Sequence, residues 1–341
     1  MKKWIAMALL VVMVIGLTAC GPINKNDVAI VWYINDKATN PNDAINSMER
    51  AMYIENIAYK HYGAGGSAAI QLEMAQSALA SGCAALMVEI RDNSVAQYLV
   101  NAAKSYDIPI ILFNHAVDQE IVASYDKCYN IVHDSTTIYG VQAQQIVDGK
   151  GATGNTDKNL HPYDRNGDGK VTYIGIGNVS FTAGLLDSNT YVALAQNTSV
   201  STLDSLTIRE GDGRAELIDA AEGSVEMILT NADTTALQVL DALQKHGFNK
   251  DKLTTHNIPV LTVGNTSDAK RFTNTENMTE EELKEFVYTA TDLIGEERLA
   301  GSVIADLDTM SLKIADLLAK LIKGKTPDIE GRVLNIPYIG I

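Results

Sequence analysis

Cysteine is scarce, with three in 341 residues, which excludes a disulfide framework in a chain of this length. Cys83 lies in the apolar run Cys83-Ala84-Ala85-Leu86-Met87-Val88, where a buried free thiol is expected. Basic charge is also short: 27 Lys and Arg stand against 42 Asp and Glu, a formal net charge of −15. Such a balance argues against nucleic acid and anionic lipid as partners and is silent on a small neutral ligand. The groups of catalysis are missing as well. No Ser/His/Asp, Cys/His or paired-carboxylate arrangement stands out, His61, His115, His133, His161, His246 and His256 follow no metal spacing, and no enzyme activity is expected.

Long apolar runs are absent apart from residues 4–17, which fall short of the roughly 20 residues a membrane span needs. Lys2 and Lys3 precede this run, and Leu17-Thr18-Ala19-Cys20 follows it with small residues before a cysteine. That order is the pattern of a bacterial lipoprotein signal peptide, residues 1–19, with lipidation on Cys20. A diacylglycerol and an acylated amine would hold the mature chain to the membrane from the extracytoplasmic side, the periplasmic face or the cell surface. Losing the two leader lysines takes the formal charge from −15 to −17. Residues 20–26 read as a linker.

The best-defined chemistry is Asp164-Arg165-Asn166-Gly167-Asp168-Gly169-Lys170-Val171-Thr172. Asp164, Asn166 and Asp168 alternate as oxygen donors, Gly169 permits a sharp turn, Lys170 offers its carbonyl and Thr172 its hydroxyl, in the order of positions 1, 3, 5, 6, 7 and 9 of a calcium loop. Position 12 is Gly175 rather than the bidentate Glu of an EF-hand, and residues 171–176 are β-branched like a strand. The loop is therefore half of a Ca2+ site, needing a carboxylate from elsewhere in the fold, or else a solvated Asp/Asn/Gly turn.

About 320 mature residues exceed one comfortable core, so two domains are expected. Val28-Ala29-Ile30-Val31-Trp32-Tyr33-Ile34 reads as a strand buried on both faces. Helical spacing over 42–62 (Ile45, Met48, Met52, Ile57) ends at Gly63-Ala64-Gly65-Gly66, followed by a helix over 68–80, a strand over 85–90, a helix over 94–106 and a strand over 109–113. Residues 128–132 form a short segment, and Asp134-Ser135-Thr136 caps a helix over 136–147. Beyond the calcium loop the alternation restarts: strand 171–176, a helix through 191–195, strand 226–230, helix 234–246 and strand 260–263. A helix opens at Met278-Thr279-Glu280-Glu281-Glu282-Leu283 with Thr279 as its cap, then come strand 302–304, helix 310–322 ended by Gly324, and an extended tail held out of helix by Pro337. The fold class is α/β: two Rossmann-like lobes with parallel sheets, whose ligand edges lie at the strand C-termini, near Asn35, Asp36 and Asn114 in the first lobe.

From residue 28 to 341 the chain resembles the bacterial galactose/glucose-binding proteins, periplasmic receptors that feed a sugar ABC transporter. The specific pieces are Ile108-Pro109-Ile110-Ile111-Leu112-Phe113-Asn114, Ser124-Tyr125-Asp126-Lys127, the calcium loop, Glu226-Met227-Ile228-Leu229-Thr230-Asn231 and Ile336-Pro337-Tyr338-Ile339-Gly340. The resemblance implies a type I periplasmic-binding fold with three crossings, near 131–134, 304–306 and 332–335. It puts 27–131 and 306–332 in the N-terminal lobe, and 132–305 and 333–341 in the C-terminal lobe. It implies that Glu226 completes a structural Ca2+ site. It also implies a hexose as ligand, an ABC transporter permease as partner, and a monomer. Asn114 matches a sugar ligand directly, Asp36 lies beside another, and Asn265 is carried as a third candidate.

The sequence departs from that family at the cleft. Ala232 stands where an Asn is expected, Gly264 for an Asp and Ala305 for an Asn, with no His or Arg in 177–189. Phe181 and Trp32 are the candidate aromatic walls, with core or rim as the alternative. One edge strand of the first lobe is expected to be missing between 62 and the next helix, and the family's terminal helix is not expected. The expected function is an extracytoplasmic solute-binding lipoprotein that captures a hexose of the galactose/glucose type. The alternative is a sensor or binding-incompetent lipoprotein that kept the fold and lost hexose recognition.

Overall fold

The computed structural model describes residues 27–33, 43–152, 161–169, 171–177, 203–209, 225–245, 247–249, 257–264, 294 and 299–341. The chain forms two compact units: Met1–Val132 with Leu307–Ile336, and His133–Asp306 with Pro337–Ile341. The chain therefore passes between them three times, and residues 333–336 go with the first unit rather than the second.

The first unit is built on five strands, β1 (Val28–Trp32), β2 (Tyr59–Gly63), β3 (Ala85–Glu89), β4 (Ile110–Asn114) and β5 (Cys128–Asp134), in the order β2-β1-β3-β4-β5 and all parallel. Its helices are α1 (Asp43–Ile54), α2 (Ala68–Ala80), α3 (Ala96–Ser105) and α4 (Gln119–Ala123), joined after the second crossing by α7 (Leu307–Ile322). Strand alternation divides the core in two. Ala29, Val31, Leu86, Val88 and Leu112 face α2 and α3 through Ala75, Leu79, Leu99 and Val100, while Val28, Ile30, Met87, Ile111 and Phe113 face α1 and α7 through Ile45, Met48, Met52, Ile314 and Leu318. That is why these strands are apolar runs with no polar alternation.

The second unit contains α5 (Ile138–Val147), β6 (Val171–Gly177), β7 (Leu203–Arg209), β8 (Met227–Thr230), α6 (Asp233–Lys245), β9 (Val260–Val263), β10 (Gly301–Ala305) and the end of β11 (Val333–Gly340). The order is β7-β6-β8-β9-β10-β11, parallel except for the last pair, in which Ala305 opposes Tyr338. Ile174, Ile228 and Val260 pack on α6 through Ala236, Leu240 and Leu243; Val171, Met227, Leu229 and Leu261 pack on the other face against Ile146 and Tyr163.

Two expectations are corrected. The edge strand is present: β2 occupies 59–63 and pairs in register with β1, Val28 opposite Tyr59 and Trp32 opposite Gly63. The helix expected to reach 62 ends at Ile54, where Asn56 takes the left-handed conformation (φ 53°) and Ile57 donates its N–H to the Met52 carbonyl at 2.9 Å. An Asn can supply this helix stop in place of Gly, and it leaves no Gly or Pro signal in the sequence. Only Tyr62 of β2 is buried, as befits an edge strand, so neither an apolar run nor clean alternation announces it. The second correction is β7, a strand that no sequence pattern singled out. The expected helices through 191–195 and from Thr279 lie outside the described residues.

Candidate functional site

Each unit presents one polar constellation at a position the fold dictates. In the second unit, Glu226 immediately precedes β8, and its backbone N–H donates to the Thr172 carbonyl of β6 at 2.9 Å. Its carboxylate reaches back to the loop: Oε1 accepts from the Arg165 N–H at 2.6 Å and the Asn166 N–H at 3.1 Å, and Oε2 accepts from the Thr172 N–H at 2.9 Å. Asp164 organises the rest of the turn, with Oδ1 accepting from Gly167 at 2.8 Å and Oδ2 from Gly169 at 2.9 Å. Gly167 and Gly169 both have positive φ, 76° and 82°, as the tight turn requires. Asn166 Oδ1 accepts from the Asp168 N–H at 2.8 Å, and Asn166 Nδ2 donates to Asp168 Oδ2 at 3.2 Å.

The fold thus brings Glu226 to Asp164, Asn166 and Thr172, residues that sequence spacing alone left in two separate pieces. Asp164 and Glu226 are 1% and 3% exposed. Burial pushes the Glu226 carboxyl above its ordinary range, the three backbone N–H groups pull the other way, and the Asp164 charge adds to the rise. Two buried carboxylates that repel each other thus share one turn, and each of their four oxygens accepts at least one backbone N–H. Asn166 and Asp168 are exposed, Lys170 lies outside the described residues, and among the described residues no group of three or more His, Cys, Asp or Glu side chains is arranged to hold a metal.

In the first unit, parallel strands end together and their C-terminal edge carries polar side chains. Asn114 closes β4 with φ 83°, a left-handed conformation that is uncommon outside Gly. Its Nδ2 donates to Glu89 Oε1 at 3.3 Å. Glu89 closes β3, is 5% exposed, and also accepts from Arg91 Nε at 2.9 Å and, on Oε2, from the Tyr33 N–H at 2.9 Å. Gln71 Nε2 donates to the Glu89 carbonyl at 2.7 Å. Glu89 and Arg91 were not among the sequence candidates. The available signal was a single carboxylate within the apolar stretch 85–90, where no charge belongs unless it is paired.

Trp32 belongs to the core rather than to an aromatic wall. It is 2% exposed, meets Phe113 edge-on with centroids 5.4 Å apart, and donates its indole N–H to His61 Nδ1 at 2.7 Å. Asp36, Asn265, Phe181 and Cys20 lie outside the described residues. At Gly264 the structure explains the missing side chain: φ is 110°, and an added Cβ would lie 3.3 Å from the Asp233 carboxyl, so an acid there would be both strained and repelled.

No protein-family model matches the chain. It is 24% identical over 287 residues to the D-galactose/methyl-galactoside binding periplasmic protein MglB of Haemophilus influenzae, covering 80% of this chain and 76% of that one. Among solved structures, a periplasmic ribose ABC transporter protein from Conexibacter woesei superposes with a TM-score of 0.58 at 14% identity, covering 94% of this chain and 93% of the other. A protein from Mycobacterium smegmatis in complex with beta-D-fucofuranose gives 0.53 at 13% identity, covering 92% and 90%. By sequence the chain is similar to a galactose-binding periplasmic protein, and its fold is the type I periplasmic-binding-protein fold.

Proposed function

We propose that this protein is the extracytoplasmic sugar-binding component of an ABC transporter, held to the membrane by a lipidated Cys20, and that its ligand is a hexose of the galactose/glucose type. The observation that carries this reading is the similarity to a galactose-binding relative along four-fifths of the chain, on a fold whose strand ends gather Asn114, Glu89 and Arg91. A half-buried amide, a buried carboxylate and an exposed guanidinium at one strand edge suit a polyhydroxylated ligand, because each hydroxyl both donates and accepts. Isothermal titration with galactose and glucose tests it. Micromolar or tighter binding of either supports the hexose reading, and flat titrations with both, repeated across a hexose library by thermal shift, remove it.

Gly264 and Ala232, which replace expected polar ligands, favour a second reading: a sensor lipoprotein of the same fold that no longer recognises hexoses. It predicts flat hexose titrations for a fully folded protein.

We also propose a structural Ca2+ held by Asp164, Asn166, Asp168, the Lys170 carbonyl, Thr172 and Glu226. The burial of Asp164 and Glu226 beside one another supports it. A bound cation would neutralise the two carboxylates and stabilise the second unit by ligand linkage. Adding EDTA should lower the melting temperature, and an unchanged value excludes the site.

A further inference from the structure

Glu89, unlike Asn114 and Arg91 beside it, can only accept. Its carboxylate takes three hydrogen bonds, from the Tyr33 N–H, Arg91 Nε and Asn114 Nδ2, while 95% of the residue is out of solvent. An Asn amide presents a donor end and an acceptor end of nearly identical shape, and sterics alone do not choose between them. Here the choice is electrostatic. Turned the other way, Asn114 would set its Oδ1 against Glu89 Oε1, an amide oxygen facing a buried carboxylate with no proton between them. Glu89 therefore holds Nδ2 inward and leaves Oδ1 on the opposite side, where among the described residues it has no partner. Arg91 is fixed by the same oxygen through Nε, and its terminal nitrogens likewise make no bond among the described residues.

We propose that Glu89 is a positioning residue: it fixes the polarity of the Asn114 amide, so that this edge offers one acceptor, Asn114 Oδ1, beside guanidinium donors from Arg91. The ligand this selects is a compound with neighbouring hydroxyls, one donating to Oδ1 and the next accepting from Arg91. The choice of ligand rests on the sugar-binding reading above, whereas the orientation of Asn114 does not.

The test is made in two stages on the full-length protein. In 15N-labelled, ligand-free protein, the Asn114 side-chain amide signals are assigned by their loss in Asn114→Gly. In the wild type, one of the two amide protons should exchange with solvent about tenfold more slowly than the other, the factor expected of a hydrogen bond to a charged acceptor. In Glu89→Gln, whose own amide can donate as well as accept, that difference should vanish. Equal exchange of both protons in the wild type, or an unchanged pattern in Glu89→Gln, overturns the proposal, and the wild-type measurement needs no variant to fold. In the second stage, calorimetry with galactose and glucose compares wild type, Glu89→Gln, Asn114→Gly and the double variant. Glu89→Gln should weaken binding about tenfold alone and clearly less than tenfold again in Asn114→Gly, because the part of its effect that passes through the Asn114 amide is already lost there, while the part that passes through Arg91 remains. Full additivity would assign Glu89 a merely structural role and overturn it. Protected Asn114 in a protein that binds no sugar would leave Glu89 as the positioning residue and remove the sugar reading instead.

Discussion

Among single residues, Asn114 joins an unusual backbone to the amide proposed to meet the sugar. Because φ is 83°, Asn114→Ala would add backbone strain to the loss of the amide, and Asn114→Gly separates the two. Asn114→Gly should keep the melting temperature within a few degrees and weaken sugar binding by about 1–3 kcal/mol, the penalty of leaving a buried partner unpaired. A glycine variant with full affinity and lower stability would make Asn114 a loop cap only. The cysteines give a chemical prediction. Burial raises the Cys83 thiol to about 11 and Cys128 to about 12, and both are free. Neither should react with iodoacetamide at about pH 8 until denaturant is added, since the thiolate is the nucleophile. Mass spectrometry of the native protein reads this directly. His133 supplies a pH dependence: burial holds its pKa below the ordinary 6.5, against the opposing pull of Asp306. The folded state thus prefers the neutral ring. The stabilisation it provides is complete above 6.5 and is lost as pH falls through that value toward the lowered one. His133→Gln should therefore lose less stability than wild type on acidification below about pH 6.5, measured as the difference between the two melting curves.

At the scale of elements, α7 shows which interaction matters. It buries Met310, Ile314, Leu317, Leu318 and Leu321 against the first unit's sheet and α1, while its first turn gives Asp308 to Arg50 and to Ser47, the latter at 2.5 Å. The Arg50 and Asp308 side chains are 61% and 62% exposed, so solvent screens the pair to at most about 1 kcal/mol. Ile314 is fully buried, and truncating it costs transfer energy plus a cavity, about 2–5 kcal/mol. Urea melts should show Ile314→Ala destabilising by several times more than Asp308→Ala. Equal effects would mean that α7 is held by its charges. The α1–β2 boundary teaches a related point. Ile57 keeps helical spacing with Met48 and Met52 yet lies beyond the helix, packed against the same core. Periodicity located its burial correctly and misassigned its backbone.

At the scale of the whole molecule, the two units have separate cores and separate polar constellations. Chelation should therefore act on one of them. If the loop of Asp164 and Glu226 holds calcium, adding the ion to metal-free protein should slow hydrogen exchange in β6 and β8 and leave β1, β3 and β4 unchanged, because binding stabilises the unit that contains the site. Equal protection of both units would contradict a site confined to the second. Sugar binding is expected to be read in the first unit at the ends of β3 and β4.

The α/β class, the buried strands and most of the described helices were legible in the amino-acid order alone, because apolar runs and helical spacing are local consequences of which faces must leave water. So was the donor order of residues 164–172, since alternating oxygen ligands are written in consecutive positions. The resemblance paired Glu226 with that loop, and the fold turns its carboxylate into it; that Asn56 ends a helix and frees β2 to pair with β1, and that Glu89 and Arg91 stand beside Asn114, came from the fold alone. Each of these depends on residues far apart in the chain or on a backbone dihedral. A side chain's hydrogen-bond partner is set by the register of parallel strands, and no stretch of sequence short enough to show a pattern contains that register.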